Sequence, residues 1–147
     1  MMQTSSVRTL TPDQAPSEQS GVAVTHRLLL VEDEPVVSSL INAALTSVGY
    51  VVGCAEHGAA AMPLSHSLRP GLLIVDLRLP VMNGLEFIGE CRRDERLANV
   101  PIVVISATTH PPETMARLRD LGVAAYLYKP IDVQELRTVV GRLLPSS

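Results

Sequence analysis

A chain of 147 residues that is 46% hydrophobic but only 3% aromatic has room for one domain with an aliphatic core, and it lacks the stacking platforms on which single-stranded nucleic-acid binders rely. Its net charge of −3 comes without any basic run, which argues against a nucleic-acid backbone as a direct partner. No stretch is long enough to span a bilayer, the N-terminus lacks a signal-peptide pattern, and Cys54 and Cys91 show no metal-ligand spacing, so we expect a cytoplasmic protein with both thiols buried and reduced.

Residues 1–25 are rich in Ser, Thr, Gln and Pro and carry too little apolar surface to order themselves, so they read as a flexible tail before a domain at 26–145. From Arg27 onward, strand-like and helix-like segments alternate five times. The first strand is LLLVE (28–32); Pro35 suits a first helical position and opens a helix over 35–48 that closes at Gly49. A second strand covers 50–55 and a second helix 58–68, in which Pro63 removes a hydrogen bond and should kink or shorten it. LLIVD (72–76) is the third strand, and Asn83-Gly84 reads as a turn into a helix over 84–96. PIVVIS (101–106) is the fourth; the helix after it, 112–121, closes at Gly122 and offers only a thin apolar stripe of Met115, Leu118 and Leu121. AAYLY (124–128) is the fifth strand, and a last helix over 132–144 places Val133, Leu136, Val140 and Leu143 on one face. Strands that are nearly continuous apolar runs belong to a sheet covered on both faces. The expected fold is therefore α/β: a doubly wound five-stranded parallel sheet of order 2-1-3-4-5 in a flavodoxin-like three-layer sandwich.

The strands end in polar groups of different kinds: Glu32 and Asp33 after the first, Asp76 on the third, Ser106 on the fourth and Lys129, the chain's only lysine, after the fifth. In a parallel sheet these tips share one edge, the edge at which open α/β sheets bind ligands. Carboxylates ~5 Å apart at an effective dielectric of ~20 repel by roughly 3 kcal/mol per pair. Such a cluster needs a shared cation or a raised pKa. Oxygen ligands without His or Cys favour Mg²⁺, which keeps open positions for an oxygen of a phosphoryl group. Asp76 is then a candidate nucleophile that forms an aspartyl phosphate. The spread charge of the transferred group would be countered by Mg²⁺, by Lys129, and by the Ser106 hydroxyl with the backbone N–H of Ala107. Alone, Asp76 would read as a turn aspartate and Ser106 and Lys129 as surface residues; their convergence at strand tips sets those readings aside.

Taken together, VEDEP (31–35), VDLRLPVMNG (75–84), VVISA (103–107) and YLYKP (126–130) resemble the response-regulator receiver domain of two-component signalling, over residues 27–145. The resemblance implies that Asp76 is the phosphoacceptor and that Glu32 and Asp33 are the acidic pair that binds Mg²⁺, with Asp33 the direct ligand and the backbone carbonyl of Arg78 completing the set. It implies that Ser106 is the switch hydroxyl, that Tyr126 is the aromatic that turns inward when the hydroxyl moves, and that Lys129 contacts the phosphoryl group across a cis Lys129–Pro130 bond. The implied donor is a sensor histidine kinase or histidine phosphotransfer protein. The implied output is a downstream protein or a second copy, docked on the fourth helix, fifth strand and fifth helix, without direct nucleic-acid contact or membrane insertion. The Arg78 side chain, with Thr108, is expected to tune the phosphoryl lifetime by controlling water access. Glu34 reads as a solvent-facing acid at a helix N-terminus, and no chemistry is assigned to His26, His57, His66 or His110.

We therefore expect a single-domain phospho-switch with no enzymatic activity beyond its own phosphorylation and dephosphorylation. A receiver whose output domain is missing from this chain, and a scaffold that is never phosphorylated, share the same pattern. A haloacid-dehalogenase-type phosphohydrolase would carry an acid where this chain has Arg78. A flavodoxin-like cofactor binder would need a Ser/Thr/Gly-rich loop where this chain has Glu-Asp-Glu-Pro at 32–35.

Overall fold

The three central strands are aliphatic on both faces, and residues 28–31, 72–75 and 102–105 are at most 2% exposed. Burial of each such side chain contributes roughly 1.5–3 kcal/mol, so these segments define the middle of the molecule. The computed structural model describes residues 26–107 and 109–144; the expected tail at 1–25, Thr108 and the domain end at Pro145 lie outside the described residues. The elements are β1 (Arg27–Val31), α1 (Pro35–Thr46), β2 (Val51–Ala55), α2 (Gly58–Leu68), β3 (Leu72–Asp76), α3 (Gly84–Arg93), β4 (Ile102–Ser106), α4 (Pro112–Asp120), β5 (Ala125–Tyr128) and α5 (Val133–Leu143). All strand pairs are parallel, and the sheet order is β2-β1-β3-β4-β5, as the alternating pattern predicts.

Two aliphatic layers flank the sheet. Leu29, Val31, Leu73, Val75 and Val104 pack against Ala61 of α2, Phe87 and Ile88 of α3, and Leu118 of α4. Leu28, Leu30, Leu72, Ile74, Val103 and Ile105 pack against Ile41 and Leu45 of α1 and Leu136 and Val140 of α5. Edge strand β2 is covered less completely, and there Cys54 is exposed rather than buried as expected. Cys91, inside α3, is buried, and that burial pushes its thiol up to about 12, so it stays protonated.

Local chemistry sets the helix ends. Asn83 and Glu86 form a reciprocal capping box at the start of α3, with Asn83 Oδ1 accepting from the Glu86 N–H at 2.9 Å. This helix stops at Arg93, three residues before its predicted end, because Asp94 turns its carboxylate to the Arg96 N–H (2.9 Å) and to His66 Nε2 (2.5 Å). Pro63 does not shorten α2. It and Ala59, whose carbonyl loses its N–H partner, are both exposed, so that carbonyl is open to water. Arg92 clamps a different corner: its guanidinium donates to the carbonyls of Leu97, Ala98 and Val100 before β4 and of Leu121 and Gly122 at the end of α4.

The bottom of the sheet, away from the strand tips, gathers both ends of the fold. Gly71 donates to the Arg27 carbonyl at 2.8 Å. A Cβ on Gly71 would lie 3.3 Å from Leu144 Cδ2 and 3.9 Å from the same Arg27 oxygen, so the start of β1 and the end of α5 are neighbours.

Candidate functional site

Register decides which strand tips meet. Val31 pairs with Val75, Asp76 with Ile105 and Ser106 with Tyr128. Glu32 therefore emerges beside Asp76, Ser106 one rung beyond, and Lys129 beyond that. Backbone bonds carry the ladder past the formal strand ends: Glu32 N–H to Ala55 (3.0 Å), Leu77 N–H to Ile105 (3.3 Å) and Lys129 N–H to Ser106 (2.8 Å). The Lys129–Pro130 peptide is cis.

Glu32, Asp33 and Asp76 each present a carboxylate oxygen, and these lie within 4.8 Å of one another. Glu32 and Asp76 are each 2% exposed, whereas Asp33 faces solvent. Lys129 Nζ enters between them, 2.9 Å from Asp76 Oδ2 and 3.1 Å from Glu32 Oε1. The second oxygen of each buried acid is held by backbone: Asp76 Oδ1 accepts from the Arg78 N–H (2.9 Å) and Glu32 Oε2 from the Glu34 N–H (3.0 Å). These bonds lock both carboxylates in place before anything binds. The Arg78 side chain itself is exposed.

Charge is unbalanced here. Burial first, and then the neighbouring Asp76, push Glu32 up to about 7, against the Glu34 N–H and Lys129, which draw it down. Burial works against the Lys129 ammonium, but Glu34, Asp76 and Glu32 outweigh it and hold its pKa above the ordinary lysine range. Among the described residues Glu32 Oε1 is buried without a hydrogen bond, although Lys129 Nζ is 3.1 Å away. Three hard oxygen donors, one of them without a hydrogen bond, and more carboxylates than ammonium groups suit a divalent cation that prefers oxygen.

Two residues given no chemistry from sequence belong to this edge. Glu34, the N-cap of α1, forms no capping bond; its Oε1 instead lies 2.5 Å from Lys129 Nζ, so it is a further partner of the lysine and not only a solvent-facing acid. His110 places Nε2 2.7 Å from Oγ of Ser106, itself 2% exposed. Glu34 adjoins the acid pair and His110 follows a strand tip by four residues, which was the only available signal. Ala107 is exposed at the start of the same loop. Tyr126 sits on β5 among the side chains beneath α4; its hydroxyl is buried with no hydrogen-bond partner among the described residues, and burial raises its pKa.

The sheet order and its covering helices define a flavodoxin-like α/β fold with its polar groups at the topological switch edge. Residues 28–141 match the model of the response regulator receiver domain family, and the chain belongs to that family: it is a receiver domain of two-component signalling. It is 35% identical over 118 residues to the DNA-binding dual master transcriptional regulator RpaA of Synechocystis sp., covering 80% of this chain and 48% of that protein. Chemotaxis protein CheY4 of Vibrio cholerae matches with a TM-score of 0.77 at 26% identity, covering 82% of this chain and 99% of that one. The receiver domain of a sensor histidine kinase from Pseudomonas aeruginosa, solved with a magnesium ion coordinated in its active site cleft, gives a TM-score of 0.73 at 31% identity, covering 82% of this chain and 98% of that one. The chain spans about half, or less, of the length of the curated relatives it matches. Among the described residues no helix is long and apolar enough to cross a membrane.

Proposed function

We propose that this chain is a cytoplasmic, Mg²⁺-dependent phospho-switch whose Asp76 accepts a phosphoryl group from a sensor histidine kinase or histidine phosphotransfer protein. The observation that carries the reading is the Lys129 ammonium set between two buried carboxylates, one of them locked by the Arg78 N–H. A carboxylate oxygen of Asp76 attacks phosphorus, an O–P bond forms, and the P–N bond to the donor histidine breaks with the imidazole leaving. Asp33, Glu32, Asp76 and the Arg78 carbonyl would hold Mg²⁺, which when bound supplies charge neutralisation to the phosphoryl oxygens. Lys129 exchanges its carboxylate contacts for one phosphoryl oxygen, and Ser106 with the Ala107 N–H takes another. The response reaches a downstream protein or a second copy through α4, β5 and α5. In support, α4 has one fully buried side chain, Leu118, so little apolar contact holds it in its resting place. A second reading, a receiver that works as one part of a longer regulator, is favoured by the share of its relatives that the chain covers.

Intact-mass spectrometry after incubation with Mg²⁺ and acetyl phosphate tests this. One added phosphoryl group is expected, absent from Asp76→Asn and without Mg²⁺. No adduct, together with no response to beryllofluoride, replaces the proposal with an unphosphorylated scaffold.

Mg²⁺ affinity is expected to depend on pH with a definite sign. Glu32 binds its proton more tightly in the fold than in the unfolded chain, so the metal-free domain loses stability as pH rises from about 4.5 towards about 7, by at most ~3 kcal/mol. The cation competes with that proton, and its affinity should fall roughly tenfold from pH 8 to pH 6. Calorimetric titration at both values checks this; equal affinities would remove Glu32 from the ligand set.

A further inference from the structure

Among the described residues, a polar contact runs from Ser106 at the buried tip of β4 to His110 before α4. Ser106 Oγ lies 2.7 Å from His110 Nε2, and His110 directly precedes Pro111, the N-cap of α4, and Pro112, its first residue. Two consecutive prolines fix two φ angles, so movement at His110 passes to the helix rather than being absorbed between them. The helix is thinly held along its length, with Leu118 buried and Met115 and Leu121 only partly so. Its far end is tied, because Arg92 donates to the carbonyls of Leu121 and Gly122. An element fixed at one end and weakly packed in the middle is governed by what holds its other end.

We propose that His110 is a positioning residue: its Nε2 accepts the Ser106 hydroxyl proton and latches the start of α4 to the tip of β4, and phosphorylation of Asp76 opens the latch. A hydroxyl has one proton, which cannot serve both Nε2 and a phosphoryl oxygen. Once Ser106 turns to the phosphoryl group, His110 loses its partner, and the first turn of α4 moves about the end that Arg92 holds. The opening step rests on Asp76 being the phosphoacceptor; the resting latch does not.

Amide hydrogen exchange of the full chain, followed over residues 115–118, tests this in wild type, His110→Ala and His110→Gln, each with and without Mg²⁺ and beryllofluoride. Without loading, His110→Ala should exchange roughly three- to tenfold faster than wild type in this segment, the factor that one net hydrogen bond supplies. His110→Gln, whose amide oxygen reaches as far as Nε2, should stay close to wild type. Loading should bring wild type to the level of unloaded His110→Ala and change that variant little. Unloaded His110→Ala matching wild type overturns the latch; so does a glutamine variant as fast as the alanine one, or a rise spread across α1 and α2. Adducts are counted by mass in parallel with acetyl phosphate. A wild type that takes no phosphoryl group defeats the phospho-switch, while the unloaded comparison still decides the latch.

Discussion

Lys129→Met is expected to lower the stability of the metal-free domain by about 3–5 kcal/mol at pH 8, the cost of leaving buried charge without its partner. Glu32 and Asp76 are each 2% exposed, and the ammonium is their shared counter-charge. Their backbone donors at Glu34 and Arg78 would remain and keep both carboxylates facing the vacated space. Without Lys129 one opposing influence on Glu32 disappears, and its pKa should climb above the value of about 7 that it has with the lysine present. The mutant can then relieve itself by taking up a proton, so the loss should be smaller at pH 6 than at pH 8. The raised pKa of Lys129 itself keeps the ammonium charged through this whole range, so it adds no pH dependence of its own. Urea unfolding at the two pH values without divalent ions gives the result. A loss under about 1 kcal/mol at pH 8 would mean that solvent, not Lys129, balances the acids.

Gly84→Ala should be nearly as damaging for a purely steric reason. A Cβ at this position would lie 2.4 Å from the Asp76 carbonyl oxygen and 2.6 Å from Leu77 Cα. Both are backbone atoms, of Asp76 at the tip of β3 and of Leu77 just after it, so no flexible side chain can give way. Gly84 also donates its N–H to the Leu77 carbonyl at 3.1 Å, which fixes the start of α3 against that strand. Relief requires α3 to back away with its Asn83–Glu86 capping box, and Asp76 to shift with its backbone. We expect a loss of about 3–4 kcal/mol, at the severe end for overpacking, together with failure to take up a phosphoryl group. Gly141→Ala, at an exposed position of α5 with nothing among the described residues within 4 Å of its Cβ, is the control and should gain about 0.5–1 kcal/mol. Both are read from denaturant midpoints; a Gly84→Ala protein within 1 kcal/mol of wild type would show that the strand and helix can separate freely.

What the amino-acid order revealed and what it hid divide along a physical line. A strand covered on both faces must be aliphatic throughout, so the first polar residue after it lies at a tip, and Glu32, Asp76, Ser106 and Lys129 were legible for that reason. Strand ends fell within a residue of expectation, because the same aliphatic runs mark them. Contacts that depend on loop dihedrals left no such trace. Glu34 turns to Lys129 instead of capping its own helix, and His110 turns back to Ser106. Val81 adopts a φ of +70° in a turn closed by the Met82 N–H on the Pro80 carbonyl (2.8 Å), a conformation that a β-branched residue does nothing to announce. Cys54 was misjudged because an apolar run does not tell an edge strand from a central one.

The meeting of Arg27, Gly71 and Leu144 at the bottom of the sheet bears on how such a unit is used. Five-residue strands separate that corner from the reactive edge by about 15 Å. The described chain therefore enters β1 and leaves α5 at neighbouring points on the side of the sheet opposite the acids and the lysine. The fold thus begins and ends at one corner, at the opposite side of the sheet from the groups gathered at its strand tips.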